Sequence, residues 1–464
     1  MRLKKRNAPR LLICIICIGL AMSMFHSAKA QDITLSPNLP FDVPLNSHQG
    51  NFDTFSWQSF VALNWPALSN GTPDTSTMIG DPNATPVWQF YYDPADVFLP
   101  GGAQPPDPAD YPIAQTIPPA CQSSTVNVGA GQQQRIKVIR QFTKKGDVEE
   151  LPRGFLEATG QPVVDQVGNY VVYEVRINPD EYNYIFENQL YDASIQKNAT
   201  INFPEGNISS QVAGVGAMEI KAAWRVFPPN ISAGIMARYF TMPGLIFIPA
   251  QFSATGADLC LNATWGLVGM HIIHKTSTQP QWIWSTFEQI DNVPGENGNA
   301  VSPTFNNPND LQPVCPNIEA PEPQYLWQAN QPHAVNQNAV PQPSTQVVRC
   351  TPIQASAALN QAWQSALKAA NPASPWQYYQ LVSTQWTGNG GDIVQPTLAN
   401  TVLETYLQQS TFSCINCHST AMTATGNQLA DFSFMLSLAQ SPPGTQSPPG
   451  RGMFGIPVKR YHKR

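Results

Sequence analysis

The sequence predicts an α+β chain, a large β-rich body followed by a small C-terminal helical module. Three observations predict it. Forty-four prolines punctuate the 464 residues, which favours short strands and ordered loops over long helices before about residue 350. Runs such as Met218-Glu219-Ile220-Lys221-Ala222 alternate with the period of two expected of a half-exposed strand. After Cys350 the texture changes, and residues 353–370 become rich in Ala, Leu and Gln with apolar side chains at helical spacing.

In chain order, residues 31–50 read as an extended arm. Residues 52–63 place apolar side chains at 52, 55, 57, 60, 61 and 63, the spacing of a helix that Pro66 stops. Residues 66–120 are Pro- and Gly-rich with little periodicity. Strands are predicted at 135–142, 170–177, 217–227, 246–249, 267–274 and 281–287, with the TSTQP run joining the last two as a hairpin. Residues 293–352 are polar and Pro-rich, read as a surface loop or an interdomain linker. The helical module is placed at 353–440, with helices over 353–370, 398–409 and 430–439. A low-complexity tail, SPPGTQSPPGRG onward, fills 441–464.

Residues 1–30 carry the signature of a secretory signal peptide. Arg2, Lys4, Lys5, Arg6 and Arg10 form a positive start, and residues 11–25 are an apolar core too short to span a membrane comfortably. Ala28-Lys29-Ala30 then gives an A-x-A cleavage pattern before Gln31. The mature chain is expected in the periplasm or outside the cell, without a membrane span. The mature chain has 434 residues, enough for two or three domains with a sizeable core. Six of the 25 basic residues and none of the 31 acidic ones lie in the first 30, so the remainder carries a formal charge of −12. That balance argues against nucleic acid as a partner and permits steering toward a basic one.

Eight cysteines are present. Cys14 and Cys17 sit in the apolar leader core. Cys121, Cys260, Cys315 and Cys350 suggest two disulfides in an oxidising compartment, with Cys315–Cys350 and Cys121–Cys260 the favoured pairing of three. The last two belong to Cys414-Ile415-Asn416-Cys417-His418, a C-x-x-C-H run.

That run has the spacing at which a c-type haem is attached covalently. The two thiols add to vinyl groups and become thioethers, and His418 supplies the proximal imidazole to iron. Positions 414, 417 and 418 are i, i+3 and i+4, so one helical turn carries all three side chains on one face. The predicted cofactor is therefore one covalent haem c held by Cys414, Cys417 and His418. The sixth iron position is open to several readings. Met435 lies in an apolar run and Met453 in a Gly/Pro-flanked loop, both C-terminal to the motif. His271 and His274 form the sole histidine cluster, in GLVGMHIIHKT, where their spacing on a strand puts them on opposite faces. The position can also stay vacant for a small ligand. Glu219, Lys221, Arg225 and Glu288, in apolar surroundings, are then candidate distal or propionate-binding groups, and Trp57, Trp65, Trp224, Trp282 and Trp284 are either pocket walls or core. No G-x-S-x-G elbow, phosphate loop or H-E-x-x-H is present.

At Cys414–His418 the chain resembles c-type cytochromes. The segment NTVLETYLQQSTFSCINCHSTAMTATGNQLADFSFML, with FSWQSFVALNWP and PQWIWSTFEQIDNVP in the body, is similar to large exported single-haem proteins of the cytochrome c family. The resemblance implies haem c binding and electron transfer with a redox partner protein, and names no substrate. The chain departs from class I cytochromes in its C-terminal haem motif and the lack of an evident methionine ligand. C-terminal motifs also occur in five-coordinate gas-binding cytochromes. A haem enzyme of peroxidase or oxygenase type, acting on a small molecule, or a gas sensor is the alternative.

Overall fold

The computed structural model describes residues 33–108, 118–122, 137–139, 161–207, 214–295, 303–310, 315, 321, 324–353, 355–408 and 412–444. The chain divides into residues 1–34 and 35–464, and the fold described is that of the second unit. The proposed signal peptide, most of the tail and Met453 lie outside the described residues.

Among the described residues ten strands are formed, β1 (Lys137–Ile139), β2 (Val172–Ile177), β3 (Met218–Val226), β4 (Thr241–Ile248), β5 (Leu259–Thr276), β6 (Gln279–Gln289), β7 (Leu326–Trp327), β8 (Ala334–Val335), β9 (Tyr379–Thr387) and β10 (Ile393–Val394). The described residues also form seven α-helices, α1 (Gln49–Leu63), α2 (Pro94–Val97), α3 (Pro179–Glu187), α4 (Ala193–Gln196), α5 (Ala233–Met236), α6 (Ala357–Ala370) and α7 (Cys414–His418). Among the described residues no helix is long and apolar enough to cross a membrane.

Strand β5, 18 residues long, organises the sheet. Around Trp265 and Gly266 both β3 and β4 pair with it, and over residues 269–274 both β3 and β6 do, so β4 and β6 share one edge and β3 takes the other. Beyond β6 come β9 and β10, and β2 lies outside β3, all antiparallel; β1 adds a parallel pair to β4. Helices α1 and α6 cover one face. Phe60 of α1 stacks on Phe287 with centroids 4.3 Å apart, Phe52 stacks on Trp386 at 3.9 Å, and Trp57 stacks on Trp363 of α6 at 5.7 Å. Fully burying aromatic side chains of this size is the dominant favourable contribution to such a core. The opposite face carries residues 398–408 and 412–440 together with α3 and α4. A sheet covered on both sides explains why β5 and β6 are buried almost throughout their C-terminal halves.

The expected strands are present where they are described, and β5 and β6 form the expected hairpin at Thr276–Gln279. Cys121 bonds to Cys260 and Cys315 to Cys350, with Cα atoms 5.2 and 5.4 Å apart. The segment 353–440 differs from the expected helical module. Strand β9 lies inside it and pairs with β6, making the segment part of the same sheet. Of the expected helix at 398–409, the described residues 398–408 form turns and one 3-10 turn at Thr405–Leu407, and 430–439 hold a single 3-10 turn at Met435–Leu438. Both follow from tertiary contacts that engage their polar side chains, described below. Residues 293–352, where described, are packed rather than loose, with Phe305, Trp327, Val335 and Val347 fully buried.

Candidate haem-attachment site

Register places two rows of side chains across the face opposite α1. One row runs Val175, Lys221, His271, Thr286 and Ser383. The next runs Ile177, Glu219, Ile273, Trp284 and Gln385. The Cys414–His418 run sits on the second row, beside Trp284 and Gln385. Five residues cannot sustain a helix alone, because nucleation costs more than so few hydrogen bonds return. Helix α7 is held from outside. Gln385 Oε1 accepts from the Ile415 N–H at 3.0 Å and from the Ser413 hydroxyl at 3.2 Å. Ser413 is also the N-cap, its Oγ accepting from the Asn416 N–H at 3.3 Å. Ile415 anchors the turn in an apolar cluster that includes Trp282, Trp284, Phe434 and Leu436, with Cys414, Cys417 and Met435 packed at its margin.

Cys414, Cys417 and His418 are all half-buried, and neither disulfide uses the two thiols. Burial pushes the Cys414 thiol well above its usual pKa, and the Glu404 and Cys417 charges add to that. His418 Nδ1 lies 2.8 Å from the Phe432 carbonyl oxygen. A carbonyl can only accept, so Nδ1 carries the proton and, in the neutral ring, Nε2 carries the lone pair. The imidazole is packed against Trp284, centroids 4.3 Å apart, and Phe434 at 4.8 Å.

The Phe432 carbonyl is presented by an unusual turn. Asp431 and Phe432 are consecutive non-glycine residues in the left-handed region, with φ of 50° and 67°. Asp431 Oδ2 accepts from Lys275 Nζ at 2.7 Å and from the Phe203 N–H at 2.8 Å. Ser433, the next residue, hydrogen-bonds Glu219. Burial raises Glu219 to about 7. Glu181 on α3 is fully buried with neither carboxylate oxygen hydrogen-bonded, and burial, then the Glu219 and Asp431 charges, raise its pKa well above normal.

The candidate axial residues separate. His271 and His274 lie on opposite faces, as their spacing predicts. His271 Nε2 is 2.7 Å from Glu404 Oε1 on the face that carries α7. Burial pushes Glu404 up, but His271, Lys221 and the Asn400 N–H outweigh it and hold the carboxyl below its usual range. His274 lies on the other face, 5.4 Å from the Phe55 ring, with Nε2 2.6 Å from the Val215 carbonyl and Nδ1 buried without a partner. Burial lowers its pKa to about 4. The structure therefore does not bring His274 to the motif. Met435 borders the cluster that holds the motif.

Of the charged candidates, Glu288 pairs with Arg349 and Arg225 with Asp165, both buried within the body. Lys221 differs, being the one residue of β3 that is not buried. Its register partner Val175 is the one such residue of β2. The tryptophans Trp57, Trp65, Trp224, Trp282 and Trp284 are all core, and Trp284 also walls the motif.

The residues present fit a covalent haem. Two thiols outside the disulfides and a histidine with its Nδ1 fixed share one helical turn at an aromatic margin, and Val175 and Lys221 on the same face of the sheet are partly exposed. Sequence reasoning missed Gln385, Lys275, Asp431 and Glu404 as supports. No short motif marks them, because their contacts are set by tertiary packing, 28 and 30 residues apart for Gln385 with Ser413 and Ile415, 156 for Lys275 with Asp431 and 133 for His271 with Glu404.

Compared with known proteins, the chain matches no family model, no curated protein and no solved structure.

Proposed function

We propose that the chain is an exported monohaem c-type cytochrome that transfers electrons through a haem bound by Cys414, Cys417 and His418. The observation that carries this reading is the 2.8 Å bond from His418 Nδ1 to Phe432. It fixes the tautomer whose Nε2 can ligate iron, in the same helical turn as two thiols. When bound, the haem supplies a one-electron iron couple. The chain's own residues do the rest. Gln385 and Ser413 hold the turn, Phe432 orients the imidazole, and Trp284 and Phe434 keep water from its faces. The modified chain begins at Gln31 in this reading, and its net negative charge suits a basic redox partner.

The partial exposure of Val175 and Lys221, in the same row as His271, favours a second reading. In it a small ligand reaches the second face, and the protein is a haem enzyme or gas sensor. Protein matured in a host that exports and attaches c-type haem distinguishes these. Haem stain must survive denaturing electrophoresis and vanish in Cys414→Ala/Cys417→Ala. A reduced protein inert to carbon monoxide supports electron transfer, and rapid carbon monoxide binding supports the second reading. Stain that persists in the double variant overturns both.

A further inference from the structure

The buried lysine of β5 has no place in haem attachment as such, yet its contacts converge on the turn that orients His418. Lys275 is 1% exposed. A buried ammonium persists only with acceptors around it. Here they are Asp431 Oδ2 at 2.7 Å, Asn202 Oδ1 at 2.7 Å and Glu205 Oε1 at 3.7 Å. Asp431 in turn opens the two-residue left-handed turn, a conformation that side chains with a Cβ adopt only when their surroundings over-determine it. The surroundings do so on every side. Lys275 and the Phe203 N–H grip Asp431, Glu219 bonds Ser433, and the Ala430 N–H bonds the Ala421 carbonyl at 2.9 Å. The product of that turn is a carbonyl aimed at His418 Nδ1.

We infer that the Lys275–Asp431 ion pair is a positioning device that sets the strength of the His418 Nδ1–H bond to Phe432 and so tunes the imidazole as an iron ligand. The inference rests on the haem-binding reading and deepens it. A firmly held carbonyl draws the Nδ1 proton and makes the ring a stronger donor, which favours ferric over ferrous iron. Slackening the turn weakens that bond and favours the ferrous state.

The test compares wild-type protein carrying covalent haem with Lys275→Met and Asp431→Asn. The second variant keeps the side-chain shape, so it reads the effect even if the first fails to fold. Midpoint potential and the exchange rate of the His418 Nδ1–H proton by NMR are measured. The expected result is a rise in potential equivalent to about a tenfold shift toward ferrous haem, about 59 mV for one electron, with Nδ1–H exchange about tenfold faster. Haem-loaded Asp431→Asn with an unchanged potential and exchange rate overturns the inference, even if its melting temperature falls. Wild-type chain that carries no covalent haem overturns the reading beneath it as well.

Discussion

The Oε1 atom of Gln385, on β9, accepts from the Ile415 N–H at 3.0 Å, so a strand of the sheet supports the short helix that carries Cys414, Cys417 and His418. The same oxygen takes the Ser413 hydroxyl, and Gln385 Nε2 donates to the Gln395 carbonyl at 2.6 Å. Gln385→Leu leaves a buried N–H without its partner, at a cost of about 1–3 kcal/mol. Urea unfolding of the apo chain should show a loss of that size with an unchanged slope. Haem attachment should fall in parallel, since the turn presents the thiols. A variant as stable as wild type would show that α7 does not depend on β9.

The axial candidates can be sorted by face. His274→Ala should leave the near-infrared magnetic circular dichroism of the oxidised protein unchanged, because its side chain lies on the α1 face of the sheet. His271→Ala, Met435→Ala or Met453→Ala should alter it if that residue binds iron. A high-spin spectrum unchanged in all four establishes a vacant sixth position. A spectrum that changes with His274→Ala would contradict the face assignment.

Two buried groups give opposing pH dependences. Glu219 is raised from 4.5 to about 7 by burial. The folded chain therefore holds the extra proton between those values, and its contribution is complete below pH 4.5 and lost as pH rises through 7. His274 is lowered from 6.5 to about 4 by burial. The unfolded chain holds the extra proton there, so that contribution is complete above pH 6.5 and lost as pH falls through 4. Glu219→Gln should lessen the alkaline decline and leave the acid one, while buried Glu181 and Asp165, raised in the same direction, keep a share of it. Thermal melts from pH 4 to 8 check this, and an alkaline decline undiminished by the substitution would place its origin elsewhere, with Glu181 the next group to replace.

Much of the body was legible because it is periodic. The alternation in β3 and the hairpin of β5 and β6 depend on local pattern, and so do helices α1 and α6. Strand β9 escaped because Leu381 and Val382 are adjacent apolar residues. The register with β6 shifts between Thr286 and Phe287 at that point, which breaks the alternation. The helix expected at 398–409 is displaced by tertiary demand. The Asn400 side chain bonds Thr286 Oγ1 and the Phe287 carbonyl, Thr401 bonds Glu288, and Glu404 bonds His271. At 430–439 the left-handed pair Asp431 and Phe432 interrupts the helical pattern.

Within the site, the three residues proposed to hold haem were legible as a candidate because the chemistry requires them within five consecutive positions. Their supports were not. The Phe432 carbonyl is a backbone group that any residue supplies, and its aim depends on Lys275, 157 positions away from Phe432 in the chain.

The most direct measurement is peptide mapping by mass spectrometry of protein matured in a host that attaches c-type haem. The account predicts a peptide spanning Cys414–His418 that carries one haem, linked at Cys414 and Cys417, with neither thiol open to alkylation. A haem-free peptide in which both thiols alkylate, from a host shown to mature another c-type cytochrome, would contradict it.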